Sequence, residues 1–274
     1  MEIALLQDVS KCTGCRACMV ACKQWKGLPA DPTPFTGAYQ SHPDLSAKTY
    51  TLIRMTEQVD NGILRWHFVK FQCMHCAEAA CVKACPQKAL YHADNGIVAF
   101  DRDRCVGCGY CVNNCPFGVP HLDKAAHKST KCNFCEDRIA KGMPPACAKT
   151  CPPGALQFGP RDKMVAVAEA RVRQLQETFP RAQTYGINEL GVGGTHMIYV
   201  LQDAPEVYGL PANPRVPVSL YIWKDVVQPL GKLAMGGALG VAAISYLYQR
   251  YQLGAQRLEA GETGVDEKQK GVGA

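Results

Sequence analysis

All sixteen cysteines of this 274-residue chain lie in four short runs. The runs read CTGCRACMVAC (residues 12–22), CMHCAEAACVKAC (73–85), CVGCGYCVNNC (105–115) and CNFC with CAKTC (132–151). The third run is followed by Pro116 and matches the bacterial ferredoxin pattern C-x2-C-x2-C-x3-C-P. In that pattern three neighbouring thiolates hold one [4Fe–4S] cluster, and the fourth binds a second cluster. Four runs of four thiols therefore predict four [4Fe–4S] clusters and a protein that transfers single electrons.

Two other uses of cysteine fit these runs less well. Disulfides are typical of exported proteins, and residues 1–12 lack the charged leader, apolar core and cleavage site of a secretory signal. Structural zinc is typically held by two C-x2-C pairs that a longer spacer separates. The third and fourth cysteines of each run have a place in a cubane scheme but none in a zinc site. We therefore expect iron–sulfur ligation at all sixteen positions.

The pairing of the runs is predicted from their spacing. The second and third runs form a compact unit, so we expect them to exchange their fourth cysteines, with the first and fourth runs pairing around them. This nested scheme gives four ligand sets. Set A is Cys12, Cys15, Cys18 and Cys151; set B is Cys22, Cys132, Cys135 and Cys147; set C is Cys73, Cys76, Cys81 and Cys115; set D is Cys85, Cys105, Cys108 and Cys111. Side-by-side pairing of the third and fourth runs stays open at this point.

The fold class expected is α+β, with nested bacterial ferredoxin-like 2[4Fe–4S] domains and a single C-terminal transmembrane helix. Strands are predicted at residues 2–7, 96–100, 155–158 and in GVGGTHMIYVL, with a hairpin at 50–56 and 64–70 whose turn includes Asn61-Gly62. Residues 161–179 have the periodicity of a surface helix. The domains expected are an outer half (1–72 and 116–160), an inner half (73–115), a partner-contact and linker segment (161–217), an anchor helix (218–250) and a polar tail (251–274).

The formal charge of +6 would suit a nucleic-acid partner, but that count treats every thiol as neutral. An oxidised cluster with four thiolates carries about −2, so four clusters bring the net charge to roughly −2. Basic residues beside the ligands can offset cluster charge; they are Lys11, Arg16, Lys23, Lys83, Lys131 and Lys149. The sequence has no aromatic and basic stripe that would stack bases, so we expect no nucleic-acid partner.

Residues 226–249 form a long apolar segment whose one charged side chain is Lys232. At about 1.5 Å per residue a helix of this length spans roughly 36 Å, which exceeds a hydrocarbon core of about 30 Å. Aromatic residues at its two ends resemble interfacial belts; they are Tyr221, Trp223, Tyr246, Tyr248 and Tyr251. We expect a single span in a lipid bilayer rather than a buried helix of a soluble domain. Gly236 and Gly240 suit contact with another membrane helix or reflect the small-residue bias of such spans.

Basic residues near this segment predict its orientation. Two precede it and four follow it; they are Arg215 and Lys224, then Arg250, Arg257, Lys268 and Lys270. Positive charge favours the cytoplasmic side, so we expect a cytoplasmic C-terminus and a periplasmic cluster domain. Clusters are assembled inside the cell, so such a domain would be exported after assembly together with a partner that carries a signal.

Several stretches together resemble one known family. They are DVSKCTGCRACMVACKQW, DLSAKTYTLIR, CMHCAEAACVKACP, NGIVAFDRDRCVGCGYCVNNCPFGVP, KCNFCEDRI, PACAKTCPPGAL and GVGGTHMIYVL, followed by Trp223-Lys224 and the apolar segment. This combination resembles the iron–sulfur β subunit of respiratory, membrane-bound formate dehydrogenase over nearly the whole chain. The cysteine runs alone are shared with the electron-transfer subunits of many molybdenum or tungsten oxidoreductases.

The resemblance implies a place between two partner subunits. One would be a catalytic α subunit that holds a molybdopterin with molybdenum or tungsten and a [4Fe–4S] cluster of its own. The other would be a membrane γ subunit, a cytochrome b whose haem passes electrons to quinone. Set A would face the α subunit and set D would lie nearest the haem. The same relay in another molybdopterin oxidoreductase or a hydrogenase, and a free-standing membrane-tethered carrier, remain alternatives.

The histidines do not form a catalytic or metal-binding pattern. His75 lies inside the second run, but its predicted cluster already has four thiolates, so we expect the imidazole to pack or form hydrogen bonds. His67, His121 and His196 have no second ligand at metal spacing. We therefore expect a non-catalytic subunit, with any haem held by the partner.

Overall fold

The computed structural model describes residues 1–60, 62–188 and 191–269, with their side chains except those of Asp60 and of residues 257–269. Contacts divide the chain into two units, Met1–Leu220 and Tyr221–Ala274. Some residues used in the predictions lie outside the described part: Asn61 of the hairpin turn, Lys270 of the tail, and the side chains of Arg257 and Lys268.

Within the described residues, ten strands form one four-stranded sheet and three hairpins. Their bounds are β1 Ile3–Asp8, β2 Thr51–Asp60, β3 Ile63–Gln72, β4 Leu90–His92, β5 Val98–Phe100, β6 His121–Asp123, β7 Lys128–Thr130, β8 Leu156–Pro160, β9 Gln183–Tyr185 and β10 Met197–Leu201. The hairpins are β2–β3, β4–β5 and β6–β7, and the sheet order is β8-β1-β10-β9. Each strand predicted from the sequence is present.

Most of the helices are short, and at least one of them begins within each cysteine run. Their bounds are α1 Ala17–Lys26, α2 Ala80–Ala84, α3 Tyr110–Asn114, α4 Glu136–Ile139, α5 Ala146–Lys149, α6 Arg161–Gln176, α7 Val218–Tyr221 and α8 Gln228–Gln269. Single 3-10 turns occur at Val9–Lys11 and Pro205–Tyr208, and a π-helical segment, Ile222–Val227, precedes α8. The predicted surface helix is therefore present as α6, and it ends one turn earlier than expected.

The central strands β1 and β10 run parallel and are buried along their whole length. Successive side chains of a strand point to opposite faces of its sheet. On one face lie Ala4, Leu6, Ile198 and Val200, packed with the buried stripe of α6, which is Met164, Ala168, Val172 and Leu175. The alternate residues join the core of the cysteine loops; they are Ile3, Leu5, Met197, Tyr199 and Leu201. The sheet thus separates α6 from the loops and supports both.

The second unit contains the long helix α8. The helical stretch Val218–Gln256 is the one part of the described chain that is long and apolar enough to cross a membrane, judged by length and composition. The most apolar part of this stretch is not buried in the structure. Large apolar side chains along it are exposed, with Leu233 at 72% and Ile244 at 69% of their accessible area.

Candidate iron–sulfur sites

The first half of each cysteine run is a loop with the same backbone turn. In each C-x2-C motif the residue before the second cysteine has a positive φ; these residues are Gly14 (67°), His75 (50°), Gly107 (70°) and Phe134 (60°). Glycine adopts this left-handed conformation at little cost, whereas other residues lose about 1–2 kcal/mol. A Cβ at Gly107 would lie 2.3 Å from the carbonyl oxygen of His127, so glycine is required there for space as well. The four runs therefore share one loop conformation.

His75 and Phe134 adopt this turn because their rings are held inside the protein. Both are buried, and their rings lie 4.8 Å apart at 73°, an edge-to-face contact. Nδ1 of His75 accepts a hydrogen bond of 3.1 Å from the N–H of Val98. Burial lowers the pKa of His75 well below its usual value, and nearby cations lower it further. The imidazole is therefore packed and hydrogen-bonded, as the sequence predicted.

The third cysteine of each run is the second residue of a short helix. These cysteines are Cys18 in α1, Cys81 in α2, Cys111 in α3 and Cys147 in α5. All four are buried. The first N–H groups of a helix have no intrahelical acceptor and carry partial positive charge. This placement favours a thiolate at the third position of every run.

The four ligand sets of the nested scheme are brought together in space. Sets A, B and D each line one cavity, and each cavity, together with the solvent space at its mouth, measures 300 to 340 Å³. The thiols of set C lie close enough to interact electrostatically. Burial raises the pKa of Cys76 well above its usual value, and the charges of Cys73, Cys115 and Cys81 raise it further. Cys151 lines the cavity of set A, away from the third run. That iron binds these particular sets stays a prediction.

Burial controls the ionisation of these thiols. It raises the pKa of Cys18 to about 12, and the pKa values of Cys73 and Cys135 to about 11. Thiols with such values keep their protons at neutral pH unless a metal displaces them. The sites therefore need the positive charge of an iron–sulfur core before their sulfurs become thiolates.

Main-chain N–H groups point at several of the sulfurs. The bonds run from Ala89 to Sγ of Cys85 (3.3 Å), from Ser129 to Sγ of Cys105 (3.4 Å) and from Phe134 to Sγ of Cys132 (3.4 Å). Hydrogen bonds to cluster sulfurs tune the reduction potential. All-thiol donor sets, enclosed cavities and N–H groups aimed at sulfur fit [4Fe–4S] clusters.

The donor spacing does not suit single metal ions. Within the described residues, no three His, Cys, Asp or Glu side chains are grouped closely enough to hold one ion. Thiolates on a zinc ion all lie about 2.3 Å from it, whereas the thiols here surround a larger space. The remaining predicted histidines have ordinary partners: His67 contacts Tyr208 and Gln58, and Nδ1 of His121 and of His196 donates to the carbonyl oxygens of Val119 and Ile3.

Neighbouring sets lie within electrostatic reach of one another in a single order. Burial is the main cause of the raised pKa of Cys18 in set A, and Cys147 of set B adds to it. Burial is also the main cause of the raised pKa of Cys73 and of Cys81, both in set C. Cys132 of set B raises the pKa of Cys73 further, and Cys111 of set D raises the pKa of Cys81 further. These interactions favour the order A–B–C–D, which stays a prediction. The two exposed thiols, Cys15 and Cys108, belong to the end sets A and D.

Of the six basic residues predicted to offset cluster charge, Lys131 is the buried one. Burial raises the pKa of Cys73 and of Cys81, and the ammonium of Lys131 opposes that rise. Lys11 and Lys23 instead lie 3.9 and 3.8 Å from aspartate carboxylates. The sequence placed these residues beside ligands correctly, but only the fold shows which one acts on the thiols.

Lys70 was not among the functional residues predicted from the sequence. This residue of β3 is fully buried and lines the cavities of both set A and set B. Burial lowers its pKa, but four thiols of these two sets raise it, and the net direction is upward. A signal was present, because a lysine flanked by Val69 and Phe71 lies three residues before Cys73 on a predicted strand.

Comparisons with known proteins agree with these sites. Two sequence-family models, both described as 4Fe-4S dicluster domain, match residues 11–89 and 64–161, and together they span all sixteen cysteines. Two dicluster domains correspond to four [4Fe–4S] clusters, so the predicted cofactors are confirmed.

Three similar proteins align over most of the chain. The formate dehydrogenase iron-sulfur subunit of Haemophilus influenzae is 44% identical over 252 residues, covering 90% of this chain and 80% of that protein. The nitrate-inducible formate dehydrogenase iron-sulfur subunit of Escherichia coli is 45% identical over 234 residues, covering 84% and 79%. The formate dehydrogenase-O iron-sulfur subunit of the same organism is 38% identical over 272 residues, covering 97% and 89%.

Proposed function

Because the chain belongs to the family of formate dehydrogenase iron–sulfur subunits, we propose that it relays electrons from formate oxidation toward quinone through four [4Fe–4S] clusters. The observation that carries this proposal is the grouping of all sixteen thiols into four sets within Met1–Leu220. Each cluster takes up and releases one electron at a time, whereas formate oxidation releases two. The chain itself contributes ligands and surroundings to the relay, and the chemistry on formate belongs to a partner.

Sets A, B, C and D are the proposed ligand sets. The cavities of sets A, B and D support the nested exchange of fourth cysteines, since Cys85 lines the cavity of the third run and Cys151 that of the first. The mutual charge of set C supports the position of Cys115. On this assignment the outer half is 1–72 with 116–160, and the inner half is 73–115.

The proposed path runs from set A through sets B and C to set D. It is supported by the electrostatic contact of each set with the next and by the exposure of Cys15 and Cys108 at the two ends. A thiol exposed on an end set lets its cluster approach a redox group of another protein. Set A would then receive electrons from a molybdopterin α subunit that contains molybdenum or tungsten, and set D would deliver them to the haem of a cytochrome b γ subunit.

We further propose that the second unit anchors the chain in a lipid bilayer by a single span. Support comes from the length and composition of Val218–Gln256 and from the exposure of its apolar side chains. The excess of basic residues after the span favours a cytoplasmic C-terminus and a periplasmic cluster domain. Protease added outside intact spheroplasts should then digest the cluster domain, and a cluster domain that stays intact would contradict this orientation.

Interruption of the series tests the relay. Replacing Cys147 by serine removes a set B ligand, so the three remaining clusters per chain should all be reducible by dithionite. Formate should reduce the cluster of set A, while those of sets C and D stay oxidised on the time scale of turnover. Electron paramagnetic resonance of the membrane-bound complex distinguishes these states, with Ala148→Ser as the control variant. Equal reduction of all three clusters by formate would contradict a series, and a set A cluster that only dithionite reduces would place the relay on another donor.

A further inference from the structure

Two lysines inside the first unit are buried among the predicted cluster ligands. Lys70 is 0% exposed and Lys131 is 5% exposed. Neither has a carboxylate within salt-bridge distance in the part of the chain that the structure describes. Nζ of Lys70 donates to Oε1 of Gln72, and Nζ of Lys131 donates to the carbonyl oxygens of Val98 (2.6 Å) and Cys132 (3.0 Å). A buried ammonium without a counter-charge is strongly unfavourable, so a negative group must balance each one.

Clusters bound by the thiol sets would provide that negative charge. Lys70 lines the cavities of sets A and B, and the thiols that raise its pKa against the effect of burial belong to these two sets. Lys131 is less selective, because its Nζ donates to the carbonyl oxygen of Cys132 in set B. Lys70 is therefore the lysine that geometry assigns to sets A and B.

Set D has a different basic neighbour. Nζ of Lys128 donates to the carbonyl oxygen of Cys105 at 2.6 Å, but this side chain is only partly buried. Water and salt screen an exposed charge more than a buried one. The cluster at set D therefore provides an internal reference for the other three.

We propose that Lys70 raises the reduction potentials of the clusters at sets A and B. This inference rests on the proposed function, because it assumes clusters at these sets. Reduction adds one negative charge to a cluster that already carries about −2 with its thiolates, so a fixed positive charge nearby stabilises the reduced form. Lys70 is a positioning residue, since it makes electrons more stable at particular points of the relay without forming a bond to iron.

The test is a redox titration of the membrane-bound complex, followed by electron paramagnetic resonance, on variants that remove one charge each. In Lys70→Gln the ratio of reduced to oxidised cluster at a fixed potential should fall about tenfold at sets A and B, which is 59 mV for a one-electron couple. Sets C and D should be unchanged.

Three controls separate charge from structure. Lys70→Arg keeps the charge and should leave the potentials of sets A and B close to their original values. Lys149→Gln removes the same charge from an exposed position two residues before Cys151, and should shift no cluster by a comparable amount. Gln72→Glu leaves Lys70 in place but neutralises it, so it should lower the potential of the cluster at set B, whose cavity Gln72 lines.

Iron per chain is measured on every variant before titration. Fewer than four clusters in the unchanged protein would refute the proposed function itself. Four clusters whose potentials respond neither to Lys70→Gln nor to Gln72→Glu would refute this inference and leave the relay intact. If Lys70→Gln loses iron, the Gln72→Glu variant decides the result.

Discussion

The two units of this chain bury their apolar residues in opposite ways. Up to Leu220, apolar side chains and most thiols are inside the protein, in a fold made of short strands and short helices. From Tyr221 onward, one long helix exposes its large apolar side chains, such as Leu239 at 66% and Val241 at 68%. A soluble fold does not leave such a surface in water. On the proposed function, metal inside the first unit and lipid around the second complete these two surfaces.

Within the first unit a similar contrast separates the sheet from the loops. The face of the sheet under α6 is closed mainly by apolar contacts, with one ion pair between Arg171 and Asp8. The loops around sets A, B and D surround cavities lined by sulfur. Metal–thiolate bonds supply folding free energy at sites of this kind. The loops therefore depend on iron more than the sheet does.

Removal of iron should produce the greatest change. Chelation under reducing conditions should speed amide hydrogen exchange in residues 12–22 and 105–115 by at least about tenfold. The reason is that their thiols reprotonate and the loops lose their bonds to metal. In detergent, α8 should keep its protection. Mass spectrometry of exchanged peptides gives both results on one sample. Loops that remain protected without iron would show that the protein core alone holds them.

Truncation separates the units physically. A chain that ends at residue 220 should move from the membrane to the soluble fraction and keep its four clusters, because the ligands all precede Leu220. A chain that ends at residue 256 keeps the apolar stretch and should stay in the membrane. Fractionation with iron analysis measures both. Membrane retention of the shorter chain in the absence of other subunits would argue against an anchor.

A charge placed in the middle of the proposed span tests the lipid contact more gently. Leu239→Lys should disfavour insertion by about 2.5–3.5 kcal/mol, which corresponds to a large fall in the inserted fraction. Gln249→Lys, at the end of the apolar segment, should have little effect since its side chain can reach the interface. Carbonate extraction of membranes compares the two. Equal extraction of both variants would mean that residue 239 is not surrounded by hydrocarbon.

The packing of α6 provides the least drastic test, because it leaves both iron and lipid untouched. Ala168 is fully buried against the sheet, so Ala168→Leu should lower the free energy of unfolding by about 1–3 kcal/mol through overpacking. Ala166→Leu, on the exposed face of the same helix, should change it little. Thermal unfolding of iron-loaded protein measures both. An equally stable Ala168→Leu would contradict the close packing of helix and sheet.

Much of the framework could be predicted from local patterns. The hairpin β2–β3 and the helix α6 have clear periodicities of two and of about 3.6, and both are present. Three-residue strands such as β4, β6 and β9 are too short to produce a periodic signal. The helices that begin beside Cys18 and Cys111 are short as well, and their positions depend on the loops around them.

The sites were predictable only in part. Cysteine spacing was enough to group the thiols that the structure brings together, because ferredoxin runs impose their own local order. Lys70 escaped notice, since its neighbours in sequence are apolar and its contacts with sets A and B arise from the tertiary fold. The left-handed turn at Phe134 was equally hidden, because phenylalanine does not normally mark such a conformation.

A four-cluster relay that serves formate oxidation is tested most directly by iron and acid-labile sulfide per chain in the membrane-purified complex, with electron paramagnetic resonance of the same sample after formate is added. We expect about sixteen of each for this subunit, above the share of its partners, and interacting cluster signals that formate induces. Little iron, or zinc in its place, would contradict the relay, and full clusters that formate leaves oxidised would contradict its assignment to formate.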